Sequence, residues 1–366
     1  MVGCKSGAEI TVDQFVQKIA NAYTTVVEKE VPFQKLPSVM LWGPPGVGKS
    51  QGVRQIAAKV QAETGKRVDV TDVRLLLFNP VDLRGIPTAN ADRTLAIWLK
   101  PKIFQMDDSP DVINILLLDE ISAAPPSVQA AAYQITLDRV IGEHKLPDNC
   151  FVIAAGNRTT DKSVAYAMPK ALANRLCHLE VMCDHESWHN WAINSDIHEC
   201  VIGYLSYKPE MLMQTDYKDN NAFATPRTWE MVNNLLSVVS EDLSEIFPMV
   251  IGCVGEETAN DFREWYEVFR NIPPADKIFA GTHRGIPQIP SILYALCASM
   301  VVYAKTHHKQ KEIDNAILYA SKLPFEFRNK FYTDLLRVKE ARPALRRNEQ
   351  FCDWFALTKR SWEYYR

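Results

Sequence analysis

The sequence predicts an α/β fold in its first half, with a parallel sheet covered by helices, and an almost wholly helical second half. Short apolar segments alternate with helical segments up to residue 183, and strand patterns largely vanish after residue 185. Continuous apolar strands are typical of parallel sheets whose two faces are both covered by helices. The apolar segments are SVMLWG (38–43), VDVTDVRLLLF (68–78), INILLLDE (113–120), FVIAAGN (151–157) and HLEVMC (178–183).

The boundaries of two further elements can be read from local residue patterns. Thr11 followed by Gln14 resembles a capping box, which predicts a helix that begins there and ends before Pro32. Residues 79–101 contain several turn-forming residues and the alternating segment TLAIW, which predicts a β-hairpin inserted between the second and third apolar segments, with its tip near Ala89–Asp92. The helical pattern of the second half continues to Arg366.

The composition is that of an ordinary globular protein. The 366 residues are 47% hydrophobic and 23% charged, and a net charge of −3 gives no global reason to expect nucleic acid or an anionic membrane as a partner. Eight cysteines without a CxxC pair predict reduced thiols. The amino terminus has no apolar run typical of a signal peptide, and the longest apolar run, residues 292–304, is too short to span a bilayer. We therefore expect a cytoplasmic protein.

The strongest motif is GPPGVGKS at residues 43–50, which fits the pattern GxxxxGK[ST] and lies between a predicted strand and a predicted helix. In such a loop, glycines let backbone N–H groups close around phosphate oxygens, and the following helix contributes its positive end. Lys49 is expected to reach the β- and γ-phosphates, and Ser50 is expected to ligate Mg²⁺. The predicted nucleotide-binding residues are Gly43, Pro44, Pro45, Gly46, Val47, Gly48, Lys49, Ser50 and Gln51.

Polar side chains end two further strands of the predicted sheet. Asp119 and Glu120 close INILLLDE, and Asn157 closes FVIAAGN. Asp119 is predicted to hold Mg²⁺ through water, Glu120 to orient and deprotonate the attacking water, and Asn157 to lie beside the γ-phosphate. Because open α/β sheets bind ligands at the carboxyl ends of their strands, we expect these side chains and the loop to converge at one edge.

At this point the chain resembles a known family. GPPGVGKS, LLLDE, VIAAGN and ALANRL, in that order, are similar to the Walker A, Walker B, sensor 1 and arginine-finger motifs of AAA+ ATPases. The segment PPSVQAAAYQITLDRVIGEHKLP followed by AAGNR, together with the hairpin insert, resembles the MoxR branch of that superfamily. The resemblance covers about residues 35–235, and no motif is recognised in residues 250–366.

The resemblance implies further residue roles and a domain plan. Arg175 in ALANRL matches the finger that reaches into a neighbouring subunit's nucleotide, and Arg227 in ATPRTW matches the sensor 2 arginine of a helical lid. Arg139 and Arg158 lie near the same predicted edge, and the sequence leaves open whether they share these roles. The expected domains are an AAA+ nucleotide-binding core at 1–183, a small α-helical lid at 184–248 and a helical region of unknown role at 249–366.

The resemblance also implies a function. MoxR-type relatives form rings, expected here to be hexameric, use ATP and Mg²⁺, and act as chaperone-like remodellers of a client protein. Many of them act with a partner that carries a von Willebrand factor A domain. The hairpin at 79–101 is the element expected to touch the client, whose identity cannot be read from the sequence.

Two alternatives remain open at the level of sequence. One is a nucleic-acid-linked motor or restriction-type NTPase, which the basic segment 301–366, with 14 Lys/Arg against 8 Asp/Glu, slightly favours and the overall acidity disfavours. The other is a nucleotide-gated binding scaffold with little hydrolysis. A preference for ATP over GTP is also not fixed, because no motif reads the base.

A competing motif, HESWH at residues 185–189, has the HExxH spacing of zinc proteases. A zinc protease needs this motif within a helix that faces a cleft, with a third ligand downstream. Trp188 and Trp191 instead favour the apolar side of a helix that packs on the sheet. We therefore interpret His185 and His189 as packing or surface residues and predict no zinc site.

Overall fold

A computed structural model of the protein describes residues 8–158, 161, 166, 168, 170–214, 222–239 and 242–358. The chain divides into two compact units, Met1–Cys183 and Asp184–Arg366. Residues 359–366, for which the sequence also predicts helix, lie outside the described residues.

The first unit is built on a six-stranded, fully parallel sheet with the order β1-β10-β2-β9-β6-β3. The predicted parallel sheet is therefore confirmed, with each of the five apolar segments supplying a strand. The strands are β1 (Ala8–Thr11), β2 (Val39–Trp42), β3 (Arg67–Arg74), β6 (Val112–Asp119), β9 (Cys150–Gly156) and β10 (Cys177–Met182).

An apolar core covers each face of this sheet. Successive side chains of a strand point to opposite faces, so neighbouring residues of one strand enter different cores. In β6, Ile115 and Leu117 belong to one apolar core, whereas Leu116 and Leu118 belong to another on the opposite face. This explains why the strand reads as a continuous apolar run. The helices that supply the two cores are α1 (Val12–Glu28) and α2 (Lys49–Thr64) on one face and α4 (Pro126–Asp138) on the other.

The amino-terminal end shows one confirmed element and one that the sequence did not reveal. Thr11 caps α1 and forms the predicted capping box with Gln14, and α1 ends before Pro32 as predicted. Strand β1 was missed because it has only four residues, and its Glu9 is exposed. It pairs in parallel with β10 at the edge of the sheet.

The predicted insert contains a short helix, α3 (Pro80–Arg84), followed by an antiparallel hairpin of β4 (Ile86–Ala89) and β5 (Ala96–Leu99). The expected tip is shifted, because Ala89 is still paired with Ala96 and the connecting loop is residues 90–95. The Asn90 side chain closes that loop by accepting hydrogen bonds from the backbone N–H groups of Thr94 and Leu95. A second, smaller hairpin, β7 (Val140–Ile141) with β8 (His144–Lys145), follows α4.

Every regular element in the described residues of the second unit is a helix, as the sequence predicts. One apolar core contains a residue of α6 and residues of α11 through α16. Helix α9 spans the position, between residues 248 and 249, where the sequence analysis expected a domain boundary. The helices are α5 (Lys170–Ala173), which still belongs to the first unit, and then α6 (His185–Ile193), α7 (Glu199–Tyr207), α8 (Pro226–Asn234), α9 (Leu243–Val254), α10 (Glu256–Phe269), α11 (Ala275–Phe279), α12 (Pro290–Ala304), α13 (Gln310–Ala320), α14 (Phe325–Arg337), α15 (Arg342–Leu345) and α16 (Glu349–Leu357).

The long apolar run of the sequence lies within α12, most of which is buried in the core of the second unit. Across the described parts of the chain, no helix combines the length and the apolar character that crossing a membrane requires. Every cysteine within the described ranges is a free thiol.

Candidate functional site

The loop at residues 43–48 connects the end of β2 to the first turn of α2. Gly46 and Gly48 have φ angles of 78° and 107°, a region that glycine enters at little cost and other residues rarely enter. Gly43 is required for a different reason, because a Cβ atom there would lie 2.7 Å from the carbonyl oxygen of Val181. The sequence therefore places glycine where the backbone must turn tightly in front of a helix N-terminus.

The other predicted loop residues take distinct positions. Pro44 and Pro45 are half-buried in the loop, whereas Val47 is buried and anchors the loop to the core between the sheet and α1. Gln51 is exposed in the first turn of α2. The loop is thus fixed from below by an apolar contact.

Lys49 is buried at the start of α2 and joins two of the predicted strand ends. Its ammonium donates hydrogen bonds to the backbone oxygens of Gly43 at 2.6 Å and Pro44 at 3.0 Å, and to Oδ1 of Asn157 at 3.0 Å. The cation is therefore held at the mouth of the loop, beside the end of β9. A phosphate held by the loop would find this cation in place.

Ser50, in the first turn of α2, and Asp119, at the end of β6, also lie close together. The Ser50 hydroxyl donates a 2.6 Å hydrogen bond to Oδ2 of Asp119, and Oδ1 of Asp119 accepts from the Glu120 N–H at 2.8 Å. One hydroxyl and one carboxylate suit Mg²⁺, which is usually bound by one or two carboxylates together with substrate phosphates and water. The residues present therefore fit the predicted cation.

Glu120 has a backbone conformation that the sequence did not reveal. Its φ angle is 58°, in the left-handed region that side chains other than glycine and asparagine rarely adopt. Its carbonyl accepts hydrogen bonds from the N–H groups of Ala123 at 3.0 Å and Ala124 at 3.2 Å, which hold the turn after β6 in place. Such strain persists where the surroundings enforce it, and it is frequent at functional sites.

Asn157 is positioned by a residue that sequence reasoning missed. Its backbone N–H donates to the Ser122 hydroxyl at 2.9 Å, while its side chain accepts from Lys49. Ser122 is buried, and a Cβ atom at Gly156 would lie 2.7 Å from its hydroxyl oxygen. The only sequence signal was a serine two residues after Glu120, which is too common to be informative.

Two arginines that the sequence left open are engaged within their own unit. The guanidinium of Arg158 pairs with Asp161 at 3.0 Å and with Glu180 at 3.4 Å, and Arg139, more than half buried, donates to the backbone oxygen of Cys150. Burial lowers the pKa of Arg139, and the nearby Cys150, Tyr23 and Asp148 offset this shift only in part. Neither arginine is presented as an exposed finger.

Arg175 and Arg227 are both exposed, in different units. Arg175 lies in the turn between α5 and β10 of the first unit. Arg227 is the second residue of α8 in the second unit. Their assignments as finger and sensor 2 remain predictions.

The HESWH segment forms the beginning of α6, which packs within its unit against α7 and α14. His189 is buried, and its Nε2 lies 2.9 Å from a carboxylate oxygen of Asp334 on α14. Lys330 contacts the same carboxylate oxygen at 2.9 Å. Glu186 of the motif pairs with Arg337 at 3.0 Å.

The charge states of this cluster follow from burial and from its cations. Burial lowers the pKa of His185 to about 4 and also lowers the pKa of His189. Burial raises the pKa of the Asp334 carboxyl, but attraction to His189, Lys330 and Arg337 outweighs it and holds the pKa well below its usual range.

Glu186 and His189 are thus taken up by contacts to α14. Among the residues with described positions, no group of three or more His, Cys, Asp or Glu side chains is placed to hold a metal ion. The packing interpretation of HESWH stays a prediction.

The fold and the site together define a P-loop ATPase. Residues 38–178 match the family model described as "ATPase family associated with various cellular activities (AAA)", which covers less than half of the chain. This region contains the loop, the two acids, Asn157 and Arg175.

Individual proteins are similar over part or most of the chain. An "ATP-dependent protease ATP-binding subunit-like protein" of Rhodococcus erythropolis is 26% identical over 180 residues, 49% of this chain; the chain thus spans about half of that relative, 49% of its length. A mutant of Thermotoga maritima RuvB has 15% identity and a TM-score of 0.37, covering 83% of this chain and 89% of its own. C. elegans PCH-2 has 14% identity and a TM-score of 0.35, and the match covers 69% of this chain and 66% of the PCH-2 chain.

Proposed function

We propose that the protein is a MoxR-type AAA+ ATPase that assembles as a ring and couples ATP hydrolysis to the remodelling or maturation of a client protein. The observation that supports hydrolysis most directly is the meeting of Lys49, Ser50, Asp119 and Asn157 at the carboxyl ends of β2, β6 and β9. A scaffold that only bound nucleotide would need the loop but not the acids at the neighbouring strand end.

The proposed mechanism assigns a separate task to each strand end. The loop and Lys49 bind and orient the β- and γ-phosphates, while Ser50 and Asp119 hold the cation, which supplies charge neutralisation on the phosphate oxygens when it is bound. Glu120 takes a proton from the attacking water. Asn157, held by Ser122 and Lys49, positions that water at the γ-phosphate.

The oligomeric part of the proposal rests on Arg175. The residue is exposed in a turn of the nucleotide-binding unit, so its guanidinium is accessible to a second copy of the chain. A guanidinium delivered from outside stabilises the charge of the transferring phosphoryl group. A ring, expected to be hexameric by resemblance, gives each nucleotide one such neighbour, and Arg227 is proposed to contact the nucleotide from the helical lid.

Substitution of Lys49 tests the nucleotide site. Lys49→Ala is expected to weaken ATP binding about 10- to 100-fold, because a hydrogen bond to a charged group contributes about 1.5–3 kcal/mol. Titration with a fluorescent ATP analogue measures the affinity, and phosphate release measures turnover. Lys59→Ala, further along the same helix, is the matched control and should keep wild-type values. Wild-type affinity in the Lys49 variant would contradict the site.

The hairpin of β4 and β5 is proposed to contact the client, because it exposes a row of aliphatic side chains on one face. Ile86 pairs with Leu99, and Ile97 follows on the same face; they are 66%, 55% and 43% exposed. Apolar side chains this exposed are suited to transient contact with an apolar segment of another protein. A partner with a von Willebrand factor A domain is proposed from the family resemblance.

Shortening the hairpin tests this assignment. Replacing residues 90–95 with Asn-Gly retains the Ala89–Ala96 pair and gives a two-residue turn that suits a hairpin. We expect basal ATPase activity to stay at the wild-type level, while client capture by Glu120→Gln protein in ATP falls. Pulldown from cell extract with and without the shortened tip measures the difference. A loss of nucleotide binding would argue against a client role.

A further inference from the structure

Trp42 connects the nucleotide loop to the neighbouring strand β10. It is the last residue of β2, directly before Gly43, and its side chain is only 8% exposed. Its indole N–H donates a 2.8 Å hydrogen bond to Nδ1 of His178, the second residue of β10, and the two rings are nearly parallel. The side chain of Trp42, directly before the loop, is therefore hydrogen-bonded to β10.

His178 continues this connection toward the turn that carries Arg175. Its Nε2 lies 2.7 Å from the backbone oxygen of Ala173, the last residue of α5. An indole N–H can only donate, and a carbonyl oxygen can only accept. The neutral imidazole satisfies both partners in a single tautomer, with the proton on Nε2.

The same carbonyl helps to close the turn that presents Arg175. The N–H of Leu176 points to the Ala173 oxygen at 3.4 Å, so this oxygen accepts from both sides of the turn. Arg175 itself is exposed within that turn. A displacement of Trp42 when the loop binds phosphate would therefore shift the backbone of the turn that contains Arg175.

We propose that His178 is a positioning residue that couples the nucleotide loop of one subunit to the arginine which that subunit presents to its neighbour. The coupling runs from Trp42 through the imidazole to the Ala173 carbonyl. It rests on the proposed role of Arg175 in trans.

Three substitutions separate the bonds from the packing. His178→Phe keeps a ring of similar size but removes both hydrogen bonds of the imidazole. Trp42→Phe removes only the hydrogen bond between residue 42 and His178 and leaves the bond from His178 to the Ala173 oxygen. His178→Gln retains an acceptor and a donor on one side chain. His283→Phe is the matched control, because His283 is also a half-buried histidine whose Nε2 lies near a backbone oxygen, in the second unit.

The steady-state result expected is a loss in kcat without a loss in ATP affinity. His178→Phe should lower kcat by up to about 100-fold, the effect typical of a small misplacement of a group that stabilises the transition state. Trp42→Phe should lower kcat in the same direction, His178→Gln should restore much of it, and His283→Phe should match wild type. Wild-type kcat in both His178→Phe and Trp42→Phe would overturn the proposal.

Mixed rings decide whether His178 acts on the neighbour's site or on its own. His178→Phe mixed with Lys49→Ala should recover activity, because the Lys49 variant donates an intact finger to an intact loop. His178→Phe mixed with Arg175→Ala should not recover, because every interface then lacks a positioned finger. The reverse pattern would show that His178 acts through its own loop and would overturn the proposal.

The same experiment separates this inference from the proposed function. Mixing Arg175→Ala with Lys49→Ala tests the trans finger alone, without any change at His178. Recovery in that mixture, with the reverse pattern for His178→Phe, would reject only the positioning role. No recovery in that mixture would reject the trans finger, and the inference about His178 with it.

Discussion

Arg175→Ala protein is expected to bind ATP with nearly wild-type affinity and to hydrolyse it about 10³- to 10⁵-fold more slowly, the range typical of arginine fingers. The side chain is exposed, so its removal should leave the core of the first unit intact. Phosphate release measures turnover, and fluorescent-nucleotide titration measures affinity. Arg284→Ala, an exposed arginine of the second unit, is the matched control and should retain full activity.

The trans geometry makes activity a property of the assembled ring. Arg175→Ala and Lys49→Ala are each expected to be inactive, but a mixed ring contains interfaces with an intact loop on one side and an intact finger on the other. These interfaces should recover part of the activity. Dilution of wild-type protein below its assembly concentration should abolish turnover, and full activity in a demonstrated monomer would rule the finger out.

Glu120→Gln protein is expected to bind ATP and retain it. The amide keeps the shape of the side chain but cannot accept the proton of the attacking water, and general-base catalysis typically contributes about 10²- to 10⁴-fold. Single-turnover hydrolysis of bound ATP measures the chemical step apart from binding. Glu143→Gln, an exposed glutamate between β7 and β8, provides the control.

Turnover of Glu120→Gln at the wild-type rate would show that another group accepts the proton. Asp119 is the nearest candidate in sequence, but its carboxylate already accepts hydrogen bonds from Ser50 and from the Glu120 N–H. An Asp119→Asn variant would then distinguish loss of the cation from loss of a base, because raised Mg²⁺ should rescue only a weakened cation site.

The strands could be predicted where burial on both faces leaves a continuous apolar run. The run that ends at Asp119 becomes β6, and the run that ends at Gly156 becomes β9. Strand β1 could not be predicted in this way, because an edge strand of four residues with an exposed Glu9 gives no such run. Its strand conformation depends on pairing with β10, far away in the chain.

The site could be predicted in its parts but not in its connections. Lys49 was recognisable from the loop pattern before a helix, and Asp119 and Asn157 were recognisable because each follows or ends an apolar strand. The supporting roles of Ser122 and His178 depend on register between strands that are distant in sequence. For the same reason the sequence could not rank Arg158 against Arg175, since the pairing of Arg158 with Glu180 appears only in the folded sheet.

Because of the left-handed backbone of Glu120, substitutions at this position that stabilise the fold would lower ATP turnover. Glycine or asparagine would relax a conformation that typically costs a side chain about 1–3 kcal/mol. Both lack the carboxylate proposed as the base. A screen that rewards heat resistance alone would therefore favour variants at this position that survive longer and no longer turn over, so libraries built for thermostability should hold residue 120 fixed.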